Sequence, residues 1–250
     1  MEPIIIPEAQ SFLLPAGKIG CVLVHGFTGA PKEMRLMGNY LQLQGITCFA
    51  PRLAGHGTNV KDLPRMRWSD WLASVEDGVH TLRGICEHVF IAGLSMGGLL
   101  SLFAASYLPL KGVIAMSTPY KLKDDWRIKL ARPFSLLFPF VEKGQSDTVD
   151  EETATDHIEY PAYPTRSIAE LNLLLTETLS RLPYISTPIL MINSRSDQTV
   201  PVTHQQRYAD RLKGKIFESL NLDKSGHVIT EDVERELVFQ STLNFIQKYT

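Results

Sequence analysis

The feature that most constrains the fold is a run without any charged residue, from Val89 to Leu110. Its length reaches the roughly 20 residues that a bilayer-spanning helix requires. Its composition argues against a membrane span, because the β-rich segment HVFIA leads into it, three glycines interrupt it, and the helical segment LLSLFAASYL then ends at a proline. The run therefore predicts a strand, a turn and a helix buried at the centre of a domain.

Size and charge limit the class of protein. With 250 residues, 44% of them hydrophobic, the chain can bury one core of ordinary size, so we expect a single domain over residues 1–250. Lys and Arg total 25 and Asp and Glu total 27, which leaves a formal net charge of -2. This balance creates no long-range field that would attract nucleic acid or an anionic membrane.

The three cysteines, Cys21, Cys48 and Cys86, are widely spaced and set among apolar neighbours. This pattern indicates small core residues rather than a disulfide framework. The N-terminal segment MEPIIIPEAQ has an acidic residue and two prolines where a secretory signal has a basic region followed by an apolar one. We therefore expect a cytoplasmic protein without an export signal.

Short β-rich runs alternate with helical patterns over most of the chain. The runs are IGCVLVHG, ITCFAP, HVFIAG, KGVIAMS, PILMIN and KIFESL, and the helical segments include WLASVEDGVHTLR and HQQRYADRLK. This alternation is typical of an α/β fold in which helices cover both faces of a doubly wound, mostly parallel sheet. Ligands of such folds bind at the carboxyl ends of the strands.

The interval from Pro119 to about Pro188 breaks this alternation, because it has helix-like segments and no clear strand. We expect residues 119–187 to form an inserted cap. The segment GQSDTVDEETATDHIEY within it has six acidic residues and neither Lys nor Arg, which predicts a solvated loop. The later segment SIAELNLLLTETLSRL has the apolar spacing of an amphipathic helix.

The turn in the uncharged run has the pattern G-x-S-x-G, centred on Ser95. In a nucleophile elbow the serine has a strained backbone, and the glycines two residues before and after it, here Gly93 and Gly97, let strand and helix approach closely. The hydroxyl then lies at a helix N-terminus, where N–H groups and the helix dipole favour developing negative charge. Ser95 is therefore the candidate nucleophile.

A serine hydroxyl is a weak nucleophile at neutral pH, so Ser95 requires a histidine base that is in turn held by a carboxylate. The elbow predicts the chain order serine, acid, histidine. Among the histidines after Ser95, His227 follows the last strand and a glycine, whereas His157 and His204 are expected to face solvent. Activity should then fall as the pH drops through the ordinary histidine pKa of about 6 to 7.

Two aspartates compete for the third position. Asp197 lies just beyond a buried strand in the polar loop SRSDQTVP, while Asp223 ends the last strand and is close in sequence to His227. We favour Asp197, because a loop beyond a strand end can carry a carboxylate to the histidine.

An oxyanion hole requires two N–H groups, one from the residue after the nucleophile and one from a loop after an earlier strand. Met96 and Phe27 are the candidates. His25 precedes Ser95 and lacks a spaced partner for a metal site, and His56 is expected to be structural. We expect neither a cofactor nor a metal.

Taken together, these residues resemble the α/β-hydrolase superfamily, and within it the bacterial carboxylesterases and monoacylglycerol lipases. The matching segments are LVHGFTG, APRLAGHG, DWLASVEDG, GLSMGG, DQTVP and SGHVIT. The resemblance covers the chain from Gly20 to the C-terminus except for the insertion. It implies a catalytic triad of Ser95, Asp197 and His227, oxyanion donors at Phe27 and Met96, a sheet of about seven strands, and a cap that shapes an acyl pocket.

The predicted function is hydrolysis of short- to medium-chain carboxylic esters through an acyl-enzyme, with monoacylglycerol lipase as the alternative. Dehalogenases and epoxide hydrolases of this fold have an aspartate in place of the serine. Thioesterase and amidase activity stay open because the same triad attacks any activated acyl group, and a protein that binds a small apolar ligand without turnover is a further alternative.

The first part of the insertion, KLKDDWRIKLARPFSLLFPFVEKG, is basic and apolar, and the segment RPFSLLFPFV within it spans about half a bilayer. We expect its apolar residues to pack over the pocket, with transient contact to a lipid surface as the alternative. The expected partner is a small ester substrate.

Overall fold

The computed structural model describes residues 4–122, 138–144, 148–150 and 155–250. Its centre is a seven-stranded sheet in the order β1-β3-β2-β4-β5-β8-β9, and a separate two-stranded sheet pairs β6 with β7. The strands are β1 (Phe12–Leu14), β2 (Ile19–Val24), β3 (Ile46–Ala50), β4 (His88–Leu94), β5 (Gly112–Met116), β6 (Phe140–Glu142), β7 (Ala162–Pro164), β8 (Ile189–Ser194) and β9 (Phe217–Leu222).

The predicted doubly wound, mostly parallel sheet is confirmed. Each of the six predicted runs overlaps one strand, and these six strands pair in parallel. The seventh strand, β1, was not identified among the runs, and it pairs antiparallel with β3 at the edge of the sheet. Its three residues are too few to show an alternating pattern, so only the pairing with β3 defines it.

Helices cover both faces of the sheet. The helices are α1 (Arg35–Leu43), α2 (Trp68–Arg83), α3 (Met96–Ala105), α4 (Thr165–Arg181), α5 (Thr203–Arg211) and α6 (Arg235–Lys248), with short 3-10 helices at Pro31–Met34, Leu63–Arg65 and Leu182–Tyr184. On one face a core that includes Trp71, Leu99 and Leu174 packs α2, α3 and α4 against the strands. On the other face Leu41 and Phe245 belong to the core under α1 and α6.

The uncharged run forms β4, the turn at Ser95 and α3, as predicted. All ten residues of α3 are buried, because α2 and α4 pack over this helix while its other side faces β4 and β5. Complete burial accounts for an apolar sequence around the whole circumference of the helix. Across the described part of the chain, no helix is both long and apolar enough to span a bilayer.

The prediction that the interval from Pro119 to Pro188 lacks strands is wrong. Within it β6 and β7 pair antiparallel, with Val141 opposite Tyr163. Each strand has three residues, and the intervening chain separates them too widely for a hairpin pattern in the sequence. The predicted amphipathic helix is present as α4, which buries residues such as Leu171 and Leu174.

Candidate active site

The functional candidates follow four strands of the main sheet. Phe27 lies beyond β2, Ser95 directly follows β4, Asp197 lies beyond β8 and His227 beyond β9. Because these strands are parallel, their carboxyl ends lie at the same edge of the sheet. Residues separated by up to 200 positions are thereby brought to one place.

Ser95 has a left-handed backbone, with φ 55° and ψ -113°. Its N–H donates to the carbonyl of Met116 at 2.7 Å, which ties the turn to the end of β5. A β-carbon at Gly93 would lie 2.1 Å from the carbonyl oxygen of Gly97, and one at Gly97 would lie 2.2 Å from that of Val24. Both positions therefore exclude a side chain, and the tight turn holds the strained serine in place.

Ser95, His227 and Asp197 form a continuous hydrogen-bonded chain. The Oγ of Ser95 lies 2.9 Å from Nε2 of His227, and Nδ1 of His227 lies 2.8 Å from Oδ2 of Asp197. The Asp197 side chain has no exposed surface and that of His227 is 17% exposed. An ionised carboxylate only accepts, so Nδ1 carries the proton and Nε2 is left to accept the proton of the Ser95 hydroxyl.

Asp197 is held by its own loop. Its Oδ1 accepts the N–H groups of Thr199 at 2.8 Å and Val200 at 2.7 Å, which leaves Oδ2 for His227. The competing residue, Asp223, has a side chain that is 74% exposed and pairs with Arg195. The structure therefore brings Asp197 to His227, and Asp223 points to solvent.

Two downstream carboxylates hold the loop of His227, and sequence reasoning did not identify them. Glu234 accepts the N–H groups of Asp223, Lys224 and Ser225. Burial opposes its ionisation, but these hydrogen bonds outweigh burial and lower its pKa. Fully buried Asp232 accepts the N–H of Gly226 at 2.6 Å. The feature of the sequence that could have indicated these two carboxylates is the acidic segment EDVERE, which directly follows the loop.

The loop of residues 26–29, here called the oxyanion loop, passes beside Ser95. A β-carbon built on Gly26 would lie 3.7 Å from Cβ of Ser95, which places the next residue, Phe27, near the nucleophile. Met96 is the first residue of α3, where N–H groups have no acceptor in the preceding turn. The role of both N–H groups as oxyanion donors stays a prediction.

His25 and His56 are fully buried beside the oxyanion loop. The Nε2 of His25 accepts the N–H of Leu53 at 3.2 Å, and the ring lies 5.1 Å from that of His56 in an edge contact. Burial lowers the pKa of His25 to about 4 and also lowers that of His56. Two neutral, buried rings packed in this way serve to hold the structure together. Within the described residues, no group of His, Cys, Asp or Glu side chains could hold a metal ion.

The prediction that His157 and His204 face solvent is wrong. His204 is 5% exposed, and its Nδ1 accepts the N–H of Tyr120 at 3.1 Å. The His157 side chain is 16% exposed and lies between Glu33 and Glu231. Glu33, Glu231 and Tyr120 are distant in the sequence from the histidines that they contact, so no local pattern could indicate burial.

The predicted solvated loop of the acidic segment is only partly correct for the residues that the structure describes, because the side chains of Asp156 and Glu159 are 75% and 40% exposed while others are buried or paired. Tyr160 is 3% exposed, and Asp150 pairs with Arg235 at 2.7 Å. Residues 145–147 and 151–154 of this segment lie outside the described residues. The acidic side chains meet basic partners from the main domain, which a charge count of the segment alone does not show.

A sequence profile of the α/β hydrolase family matches residues 21–240 of the chain. Two bacterial relatives are similar over nearly their whole length. A thermostable monoacylglycerol lipase of Bacillus sp. strain H-257 is 29% identical over 98% of this chain and 97% of its own. A carboxylesterase of Bacillus subtilis strain 168 is 28% identical over 96% of both chains.

Solved structures share the fold. One metagenome-derived lipolytic enzyme superposes with a TM-score of 0.86 at 29% identity, covering 98% of this chain and 99% of that one. A monoacylglycerol lipase of Paleococcus ferrophilus superposes with a TM-score of 0.83 at 18% identity, covering 97% and 100%. At that lower identity the likeness concerns the fold alone.

Proposed function

Because the chain belongs to the α/β hydrolase family, we propose that it is a serine carboxylesterase that hydrolyses short- to medium-chain acyl esters. The observation that carries this proposal is the hydrogen-bonded chain from Ser95 through His227 to Asp197, with distances of 2.9 and 2.8 Å. A hydroxyl held in a strained turn and bonded to an oriented imidazole is suited to nucleophilic attack on a carbonyl.

The first step forms the acyl-enzyme. His227 takes the proton of Ser95 through Nε2 as Oγ attacks the ester carbonyl, and Asp197 stabilises the imidazolium. The N–H groups of Phe27 and Met96 bind the oxyanion. The tetrahedral intermediate collapses as His227 returns the proton to the departing alcohol, so that serine ester and alcohol replace the substrate ester.

The second step hydrolyses the acyl-enzyme, with water in place of the Ser95 hydroxyl as the attacking group. Water loses a proton to Nε2 of His227 and attacks the serine ester, and the collapse of the second intermediate releases the carboxylic acid and restores the Ser95 hydroxyl. Because the imidazole must be neutral to accept each proton, turnover requires a pH above the pKa of the base.

The names of the relatives support the ester substrate. One relative is a carboxylesterase and the other a monoacylglycerol lipase, at 28% and 29% identity. Monoacylglycerol lipase is therefore the second candidate, and it differs only in a preference for glycerol as the leaving alcohol. Both activities use the same acyl-transfer chemistry.

We further propose that residues 1–250 form one hydrolase domain in which residues 119–187 are a cap over the acyl pocket. In support, the ring of Tyr163 from this insertion stacks on that of Phe27 at 5.8 Å, with 10° between the planes. An aromatic wall beside the oxyanion loop would favour apolar acyl chains.

A fluorophosphonate probe tests the nucleophile. The wild-type protein should form an adduct on Ser95 and hydrolyse p-nitrophenyl butyrate, whereas Ser95→Ala should form no adduct and lose about 10⁴-fold or more in kcat/KM. A folded wild-type protein that takes no label would favour the non-catalytic binder instead.

A substrate series separates the two candidates. We expect rates on p-nitrophenyl esters to peak at short or medium acyl chains and monoacylglycerol to be a slower substrate. A preference for monoacylglycerol would promote the second candidate, and equal attack on triacylglycerol would contradict a small enclosed pocket.

We also propose that the cap makes transient contact with lipid surfaces. In support, the described apolar residues of the segment RPFSLLFPFV are exposed, with Phe138 at 61%, Phe140 at 38% and Val141 at 45%; residues 132–137 lie outside the described residues. Co-sedimentation with phosphatidylcholine vesicles should be weaker for the Phe138→Asp and Phe140→Asp double variant than for wild type. Equal sedimentation would contradict the lipid contact.

The proposed location remains the cytoplasm. In support, Cys21, Cys48 and Cys86 are all buried free thiols, which a reducing compartment maintains.

A further inference from the structure

Three residues of the insertion contact the oxyanion loop. The N–H of Tyr160 donates to the carbonyl of Thr28 at 3.0 Å, and Nζ of Lys143 lies 2.7 Å from Oγ1 of the same residue. Thr28 has a φ of 67°, a conformation that a β-branched residue adopts only when its surroundings hold it. Tyr163 covers Phe27 from the same side. The insertion therefore helps to hold a strained loop in place.

An ion cluster extends this connection to the loop of the catalytic histidine. Oε2 of Glu33 accepts the N–H of Gly26 at 2.7 Å, directly before the predicted oxyanion donor Phe27. His157, from the insertion, lies with Nε2 3.8 Å from Oε1 of Glu33 and with Nδ1 2.7 Å from Oε2 of Glu231. Glu231 lies four residues beyond His227. One imidazole therefore contacts a carboxylate that is bonded to the oxyanion loop and a carboxylate that lies just beyond the His227 loop.

The side chains of Glu33 and Glu231 are each 5% exposed. Two carboxylates with so little contact to water repel each other unless a cation lies between them. His157 occupies that position. The other charged groups around it are Glu159, which pairs with Lys143, Lys32, which pairs with Asp156 and Glu8, and Arg235, which pairs with Asp150 and donates to the carbonyl of Glu231.

We propose that His157 is a positioning residue of the esterase, and that as an imidazolium between Glu33 and Glu231 it holds the oxyanion loop and the His227 loop in register across Ser95. This inference rests on the proposed function, since it needs an oxyanion to be bound. Loss of the positive charge leaves two buried carboxylates in repulsion, which moves the N–H of Phe27 relative to Ser95. An oxyanion donor misplaced by a fraction of an ångström binds the transition state less well.

The titration of the cluster defines a pH window. Burial alone lowers the pKa of His157, but the hydrogen bond to Glu231 and the charges of Glu33, Glu231 and Glu159 outweigh it and raise this pKa from 6.5 to about 9. Burial raises the pKa of Glu33 to about 7, against the charge of His157 and the N–H of Gly26. Near pH 8, midway between these values, Glu33 is mostly ionised and His157 is mostly protonated, and the bridge loses its cation as the pH rises through about 9.

The experiment measures kcat and KM on p-nitrophenyl butyrate from pH 6 to 10.5, corrected for spontaneous hydrolysis and expressed per serine titrated with fluorophosphonate. Wild-type kcat should fall about tenfold as the pH rises through about 9. His157→Gln should have about tenfold lower kcat at pH 8, KM within about twofold of wild type, and no fall near pH 9.

Two further variants separate charge from packing. His157→Arg keeps a cation at every pH of the assay and should retain kcat within about threefold, with the alkaline fall absent. Glu231→Gln keeps an acceptor for Nδ1 but removes a negative charge, so the alkaline fall should move to lower pH. This shift does not depend on whether His157→Gln folds.

The control is His80→Gln, which changes an exposed histidine at the end of α2; its profile should superimpose on that of wild type. The inference is overturned if His157→Gln retains wild-type kcat per titrated serine with the alkaline fall intact, or if His157→Arg loses as much as His157→Gln. Turnover that persists in Ser95→Ala would instead overturn the proposed function.

Discussion

The proposed nucleophile, Ser95, depends on two glycines that take no part in the proposed chemistry. Ser95 keeps its left-handed backbone because β4 and α3 meet without side chains at Gly93 and Gly97. Any β-carbon at these positions would overlap backbone atoms, which cannot move aside as a flexible side chain could. The favourable packing of the elements around the turn therefore offsets its strain.

This argument predicts the effect of Gly97→Ala. The added carbon would meet the carbonyl oxygen of Val24 at 2.2 Å, so we expect a loss of about 1–3 kcal/mol in the free energy of unfolding and a large loss of kcat. Urea unfolding and ester hydrolysis measure the two effects. Gly144→Ala is the matched control, because no atom of the described residues lies within 4 Å of its added carbon, and it should change stability by less than about 0.5 kcal/mol.

At the scale of elements, the loop after β9 is held by carboxylates on the chain that follows it rather than by regular structure. Asp232 accepts the N–H of Gly226 beside the proposed catalytic base His227, and it also accepts those of Val149 at 3.1 Å and Asp150 at 2.9 Å. A single buried side chain thus joins the His227 loop to the insertion.

Asp232→Ala should therefore affect both stability and rate. The change leaves one buried and three partly buried N–H groups without their acceptor, so we expect a loss of about 3 kcal/mol in the free energy of unfolding. The rate on p-nitrophenyl butyrate should fall as well, because the His227 loop loses its anchor. Asp223→Ala, which breaks only an exposed pair with Arg195, should cost at most about 1 kcal/mol. Equal effects of the two variants would contradict this account.

At the scale of the whole molecule, residues 119–187 are joined to the rest of the chain by buried charge. His157 pairs with Glu33 and Glu231, and Lys143 donates to Thr28. The raised pKa of His157 means that the folded protein binds its proton more tightly than the unfolded chain does. The stabilisation is fully present below pH 6.5 and is lost as the pH rises through about 9.

The free energy of unfolding should accordingly fall more steeply with pH in the wild-type protein than in His157→Gln. The difference should reach about 3 kcal/mol between pH 6.5 and pH 9.5, because each unit of pKa shift corresponds to about 1.4 kcal/mol. Urea unfolding at both pH values measures it without any substrate. Parallel pH dependences in the two proteins would show that the His157 proton is not linked to folding.

Much of the fold and of the candidate site follows from local sequence. Buried parallel strands are short apolar runs, and the elbow is a strand-turn-helix pattern with glycines at set positions, so the sheet and Ser95 can both be predicted. Asp197 and His227 follow from the chain order and from their places beyond strand ends. These signals are local because backbone conformation and burial act over a few residues.

Tertiary structure alone decided the residues that hold the site in place. His157 is 124 positions from Glu33 and 74 positions from Glu231 in the sequence. No periodicity or motif relates the three residues. A charge in a polar segment is most often solvated, so the sequence predicts a surface position for His157, whereas the structure places it between two carboxylates. Burial between two carboxylates arises only when the insertion folds back over the strand ends, since the energy of an ion pair depends on spatial distance and solvent exposure, not on position in the chain.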